Sequence, residues 1–451
     1  MRGLVQSVLI ETSSQTVLGL SALPGAAEWE RFYFYAKRVR KLICEDPYGE
    51  DEPAGLDLRH NTSPRFFWQL LMSRPPTTLL PNLQKLVWFY DRKHTFSYIF
   101  LFLSPSLSTL CVWIESNARA KRLCNLLYSC GTSLKTIRTV GGERSASKAT
   151  RTALFKVLAT WHDLVDLDFQ HHFLPVSDLA IIARCRRLQR LAVAFIDDSD
   201  EPAPVLTTTQ EDYFPSLRFL RVCLPNWDVL LYTAAMIKVI RSQHFEELEV
   251  DFRSRDHIDT QLHELLGALN THTRFKRLSL WSPPGLNSTS ANVILDPVFQ
   301  ISQLTEFSLH TNSLQLTKPV LDKIAHSWPK INKLTWNHLW RNDSSLDISD
   351  LQILARCCPD LTYISIPFHS ALGVNFSLGM PIRRTSDVPL LVDRESCQFE
   401  NAMATAMYLS SMFPAVDIGS LLGGPATGHP LKEAVDTVKR IREQEKMDNV
   451  L

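Results

Sequence analysis

No charge of one sign dominates this chain. Lys and Arg total 48 against 47 Asp and Glu, so no net field points to a nucleic-acid or membrane partner. No long apolar run is present either. The most hydrophobic stretch, Phe96 to Ile114, is divided by Pro105 and the serines beside it, which excludes a membrane-spanning helix there. The nine cysteines form no Cys-x-x-Cys pair and no regular framework. Reduced core cysteines in a cytoplasmic or nuclear protein are therefore expected, rather than disulfides or a metal site.

Catalytic signatures are missing as well. The sequence contains no Gly-x-Gly-x-x-Gly, no phosphate-binding Gly-x-x-x-x-Gly-Lys followed by Ser or Thr, no His-Glu-x-x-His and no Gly-x-Ser-x-Gly. His171-His172 has no cysteine or carboxylate neighbour at metal-ligand spacing, and is expected to be a loop pair. No enzyme activity, cofactor or metal is expected. Met1 to Leu20 is mildly apolar, but Glu11 follows Ile10 and no cleavage site appears, so a secretory leader is not expected. Sequons at Asn61, Asn287, Asn342 and Asn375 then carry little meaning.

What is present is a repeat. A leucine-like residue, two fillers, an apolar residue, one filler and a third apolar residue recur eleven times. The phrase starts at Leu83, Leu107, Leu134, Leu164, Leu188, Leu217, Phe245, Phe275, Leu304, Ile331 and Leu361. Successive starts lie 24 to 30 residues apart, the period of a leucine-rich repeat. Each phrase alternates and is rich in branched or aromatic residues, so it reads as a strand.

Helical periodicity precedes most phrases: 118–130, 148–161, 176–185, 228–242, 259–270, 318–328 and 349–356 carry apolar residues three or four apart. Pro81, Pro105, Pro215, Pro329 and Pro359 stand at the turn between helix and strand, where a proline ends the helix. One helix and one strand cannot bury themselves alone; stacked side by side they can. The expected fold is an α/β leucine-rich-repeat solenoid, a horseshoe with a curved parallel sheet inside and helices outside. Polar connections at 141–148, 197–212, 282–290 and 341–345 read as rim loops.

The expected organisation is an irregular N-terminal segment over 1–28, an N-terminal cap and first irregular repeat over 29–80, and the repeat array over 81–370. An irregular C-terminal repeat with loops over 371–430 and a charged C-terminal helix over 431–451 follow. Irregular ends suit a solenoid whose terminal units must be covered.

Side chains alternate along a strand. The three apolar positions of each phrase turn inward, so the fillers flanking the second and third face the inner curve. That map places Phe89, Trp113, Arg138, Asp168, Arg221, Glu249, Trp281, His310 and Tyr363 on the concave face as candidate partner-binding residues. Arginine and aromatics are the composition of protein-interface anchors. The same pattern also admits plain pairing of opposite charges across rows. Trp113, Arg138, Arg221, Glu249 and Trp281 are the expected contributors to an interface.

Glu28-Trp29-Glu30-Arg31-Phe32, followed by Tyr35-Ala36-Lys37-Arg38-Val39-Arg40-Lys41-Leu42, resembles the opening of the repeat region in basidiomycete-type fungal F-box/leucine-rich-repeat proteins. Phe214-Pro215-Ser216-Leu217 and Cys358-Pro359-Asp360-Leu361 look like strand openings of the same family. The resemblance runs from about residue 28 to the C-terminus. It implies substrate recognition for a cullin-based ubiquitin ligase: the F-box binds the ligase adaptor and the repeats hold a protein substrate. Residues 1–28 carry no recognisable F-box, Ala22-Leu23-Pro24 being only a trace. No adaptor-binding residue can therefore be carried over, and an adaptor is expected as a partner only if an F-box lies upstream. The alternative is a free-standing leucine-rich-repeat scaffold or a GTPase-regulatory protein, in which Arg144 would be the loop arginine that completes a partner's site.

Overall fold

The computed structural model describes residues 10–12, 15–17, 25–44, 64–73, 78–89, 96–114, 116–129, 134–140, 147–175, 179–196, 213–224, 228–252, 259–281, 291–311, 314–338, 346–370, 389–393, 397–419 and 429–448. The sequons at Asn61, Asn287, Asn342 and Asn375, the rim loops apart from their edges, Ala22-Leu23-Pro24 and Arg144 lie outside these residues. The chain divides into two compact units. The first comprises Met1–Pro204 and Gln210–Leu217, the second Val205–Thr209 and Arg218–Leu451. The boundary falls inside the 81–370 stretch that the repeat pattern treats as one array.

The first unit opens with a small antiparallel hairpin, β1 (Ile10–Thr12) and β2 (Gln15–Val17). Then come α1 (Ala26–Ala36), β3 (Lys41–Cys44), α2 (Pro64–Ser73) and β4 (Lys85–Trp88). A 3₁₀ turn at Phe96–Leu101 stands between β4 and the next strand, where repeats such as those that follow carry an α-helix. It is followed by β5 (Thr109–Trp113), α3 (Asn117–Ser129), β6 (Thr136–Val140) and α4 (Lys148–Leu158). The unit ends with β7 (Asp166–Pro175), α5 (Leu179–Ala183) and β8 (Arg190–Ile196). Strands β3 to β8 pair in chain order, every neighbour parallel.

The second unit repeats the plan: β9 (Phe219–Leu224), α6 (Asp228–Val239), β10 (Glu247–Phe252), α7 (Asp259–Leu269), β11 (Arg277–Trp281) and α8 (Ala291–Phe299). Next are β12 (Glu306–Thr311), α9 (Lys318–Ser327), β13 (Lys333–His338), α10 (Gln352–Cys357), β14 (Tyr363–Ser365) and β15 (Phe368–Ser370). The unit closes with β16 (Leu390–Asp393), β17 (Cys397–Phe399), α11 (Ala402–Met412), β18 (Val416–Gly419) and α12 (Pro430–Asp448). Its parallel sheet runs β18-β16-β14-β13-β12-β11-β10-β9, with β15 and β17 forming a separate parallel pair. Both units have one fold class, an α/β leucine-rich-repeat solenoid.

The repeat phrase explains this packing. All eleven opening residues, from Leu83 to Leu361, are at most 1% exposed. The second and third apolar positions are buried too, among them Leu110, Leu167, Leu220, Leu278 and Trp336. Burial of each such side chain stabilises by about 1.5–3 kcal/mol. Thr139 is the polar exception at a third position; it is 1% exposed, and its hydroxyl donates to the Asp168 carbonyl at 3.3 Å. The helices turn their periodic apolar stripes to the sheet: Leu123 and Leu127 on α3, Leu262, Leu265 and Leu269 on α7, Val320 and Ile324 on α9.

Two backbone devices recur. In most phrases the opening residue donates its N–H to a carbonyl three residues back, among them Leu83 to Leu80, Leu107 to Ser104, Leu217 to Phe214, Ile331 to Trp328 and Leu361 to Cys358. In those five turns the next position is Pro81, Pro105, Pro215, Pro329 and Pro359. A proline there pre-sets the backbone angle of a β-turn. It therefore shapes the corner as well as ending the helix. Phe214 adopts φ 52° at its corner, a costly region for a side chain with a Cβ, and is held by burial of its ring to 1% exposure.

The second device joins neighbouring repeats. One filler carbonyl accepts two N–H groups from the next phrase: Ser108 from Lys135 and Thr136, Glu246 from Lys276 and Arg277, Asn332 from Thr362 and Tyr363. Both lone pairs of the oxygen are thereby used, which sets each strand in the same register as the last.

The structure departs from the sequence reading in places. α8 carries Pro297 and was not evident from periodicity. β7 continues past its phrase and pairs with β8 through a bulge between Phe169 and Phe173. His171 and His172 therefore sit within a strand rather than a loop; their side chains are outside the described set. α12 packs on α11 and β18 and buries Leu431, Val435 and Val438, so it covers the last strand of its unit. The described cysteines Cys44, Cys111, Cys124, Cys185, Cys223, Cys357 and Cys358 are free thiols. Burial pushes Cys124 up to about 12 and Cys185 up to about 11.

Candidate binding surface

In each unit the sheet face away from the helices carries the filler residues, and parallel register aligns them into rows. In the first unit one row runs Lys85, Thr109, Thr136, Asp166, Arg190, and the next Val87, Cys111, Arg138, Asp168, Ala192. Arg138 is exposed and lies 2.6 Å from Asp166 on the neighbouring strand. Its hydrogen bond to the Asp166 carboxylate raises the guanidinium above its usual pKa. Cys111, beside Arg138 in the row, is half-buried, and burial raises its thiol. Phe89, Trp113 and Asp168 are also half-buried. The indole N–H of Trp113 is shielded from solvent without a hydrogen-bond partner, a placement that costs stability.

In the second unit the first row reads Phe219, Glu247, Arg277, Glu306, Lys333, Tyr363. Its charges alternate and pair. Arg277 contacts Glu247 on one side and Glu306 at 3.9 Å on the other. Lys333 lies over the Tyr363 ring, 5.5 Å from its centroid. For this row, pairing across strands accounts for the charges.

The remaining rows hold a tighter group. Arg221 faces Glu249 at 3.7 Å. Burial raises the Glu249 carboxyl, with Arg221 opposing and Glu247 and Asp251 reinforcing the rise. The neighbouring Trp281 side chain also opposes the rise. The Trp281 indole stacks on the His310 ring, with centroids 3.6 Å apart and planes 6° from parallel. Trp281 remains 40% exposed whereas His310 is only 8% exposed. Burial, with Lys333 nearby, pushes the histidine down to about 4, so it is a neutral ring at physiological pH. Trp281 is thus an exposed aromatic covered on one face by a histidine, with Glu249 nearby on the neighbouring strand.

The nine candidate residues therefore divide. Phe89, Trp113, Arg138 and Asp168 belong to the first unit. Arg221, Glu249, Trp281 and His310 come together in the second. Tyr363 ends the first row of that unit and is 7% exposed. Its hydroxyl donates to Asp393 at 3.3 Å, and Ser365 donates to the same carboxylate oxygen at 2.9 Å. Asp393 is on β16, a strand that belongs to no phrase of the regular repeat, so this buried polar group was not foreseen. The short apolar run Leu390-Leu391-Val392 was the one signal for it. Among the described residues, no group of three or more His, Cys, Asp or Glu is placed to hold a metal ion. Among them also, no helix is long and apolar enough to cross a membrane.

No family model and no curated protein matches this chain. Among solved structures it is similar to a chain in the crystal structure of a TLR13–ssRNA13 complex, 12% identical with a TM-score of 0.37. That match covers 79% of this chain and 57% of the other, so this chain spans less than two thirds of that protein's length. The class is set by the repeat geometry above: this is an α/β leucine-rich-repeat protein whose sheet face carries an ordered row of polar and aromatic side chains.

Proposed function

We propose that this chain is a non-enzymatic protein-binding module whose partner docks on the sheet face opposite the helices. The observation that supports this reading is Trp281. Trp281 is a large aromatic on the outward face that stays 40% exposed while its indole stacks on His310. A pre-ordered aromatic loses little conformational entropy on binding. The nine candidate residues are proposed as the contact set, with Trp113, Arg138, Arg221, Glu249 and Trp281 contributing most.

The finer reading is that the partner is a substrate for a cullin-based ubiquitin ligase, in the cytoplasm or nucleus of a fungal cell. It is supported by the resemblance of the Trp29–Leu42 segment to F-box/leucine-rich-repeat proteins. The test compares proteins labelled in proximity to the wild-type chain with those labelled by the chain carrying alanine at the five positions. Loss of a defined subset is expected, and members of that subset should gain stability in cells when the chain is depleted. An unchanged set would remove the sheet face as the docking surface. A lost subset whose members turn over at the same rate would remove the ligase reading alone.

A further inference from the structure

The stack on His310 leaves Trp281 with one open face, and the register says what borders it. Along the row the residues are Asp251, Trp281 and His310 on β10, β11 and β12. Neighbouring strands are spaced about 4.8 Å apart, and the two rings are 3.6 Å apart. His310 on β12 covers one face of the indole, and the register neighbour of Trp281 on the other side is Asp251 on β10. That strand presents Glu247, Glu249 and Asp251 on the same side of the sheet. From β9 to β12 the outward rows hold four carboxylates, Glu306 being the fourth, against the guanidinium groups of Arg221 and Arg277. Both arginines already face carboxylates of this group. Among the described residues, the outward side chains of β10 beside the indole are thus all carboxylates.

We propose that this face of Trp281, flanked by Glu249 and Asp251, receives an arginine side chain from a protein partner. The inference rests on the reading of the sheet face as a docking surface and names the chemistry of what docks. An aromatic face attracts a cation through its quadrupole, and a nearby carboxylate adds a charge-assisted hydrogen bond. Arginine suits the pair better than lysine: its planar guanidinium stacks on an indole and keeps its N–H donors in plane for carboxylates. The histidine beneath stays neutral, so it does not repel the incoming cation.

The test pans a displayed random-peptide library against the full chain and measures the affinity of selected peptides by calorimetry. Peptides sharing an arginine are expected. Replacing that arginine by citrulline should weaken binding about tenfold or more, and lysine should recover only part of the loss. Asp251→Asn and Glu249→Gln, which keep shape and remove charge, should each weaken the same peptides. Trp281→Ala should abolish binding, with circular dichroism confirming that the variant is folded. Selected peptides that require Trp281 but tolerate citrulline would overturn the arginine assignment and leave the docking face intact. Peptides indifferent to Trp281, Asp251 and Glu249 alike would overturn the docking face itself. A library with no enrichment of arginine over its input would also overturn the assignment.

Discussion

Lowering the pH should weaken the second unit through one ring, His310. Its ordinary pKa near 6.5 falls to about 4 because burial disfavours the charged imidazole and Lys333 repels it. The unfolded chain therefore binds a proton that the folded chain refuses. Stability is fully present above pH 6.5 and is lost as pH falls from there toward 4. At pH 4.5 the unfolded histidine is almost wholly protonated and the folded one mostly neutral, which amounts to about 2 kcal/mol after allowance for residual hydration. His310→Phe keeps a flat ring against Trp281 and removes the titration. Urea midpoints for both proteins at pH 7 and pH 4.5 isolate the effect, since carboxylates protonating in this range act on both. The wild type should lose about 2 kcal/mol more than the variant between these pH values. Equal losses, or a histidine resonance titrating near pH 6.5 in the native protein, would refute the argument that the stack excludes the proton.

Four further outcomes follow from the packing. Leu304→Ala, at a phrase-opening site that is 0% exposed, should cost about 2–5 kcal/mol by chemical denaturation. Arg277→Ala, whose side chain is 42% exposed between two glutamates, should cost no more than about 1–2 kcal/mol; a larger loss than Leu304→Ala would mean that the charge row, not the interior, holds the sheet. Cys124 and Cys185, with thiols pushed up to about 12 and about 11, should resist alkylation at pH 8 in the native protein and react once urea is added, as read by mass spectrometry of their peptides. Trp336→Phe should cost about 1–3 kcal/mol by the same denaturation, because the Leu314 carbonyl loses the indole donor at 3.0 Å and stays buried.

Much of this fold was legible in the residues themselves. The phrase states its own register: its first, fourth and sixth positions must leave water, and a strand's alternation then sends the fillers to the other face. The strands over Lys85–Trp88 through Tyr363–Ser365 and the inward set from Leu83 to Leu361 follow from that rule alone. Helices with clean stripes, such as Asp259–Leu269, followed for the same reason. The short or irregular ones did not. α8 contains a proline, and the Phe96–Leu101 turn is too short for a helical period to declare itself. β16 was hidden because it follows a long stretch, 371–388, with no phrase to mark its place.

Which side chains would project outward was determined by sequence, through a period of two. Which of them stay exposed was decided only by tertiary structure, because a row on a parallel sheet is covered or uncovered by its lateral neighbours about 4.8 Å away. Trp281 and His310 occupy equivalent positions on adjacent strands and stack, yet the indole stays 40% exposed and the imidazole only 8%. Tyr363 turned to Asp393, a residue 30 positions further along the chain. No local pattern encodes such a choice, since it depends on which strand lies alongside and on which side chain is long enough to reach across.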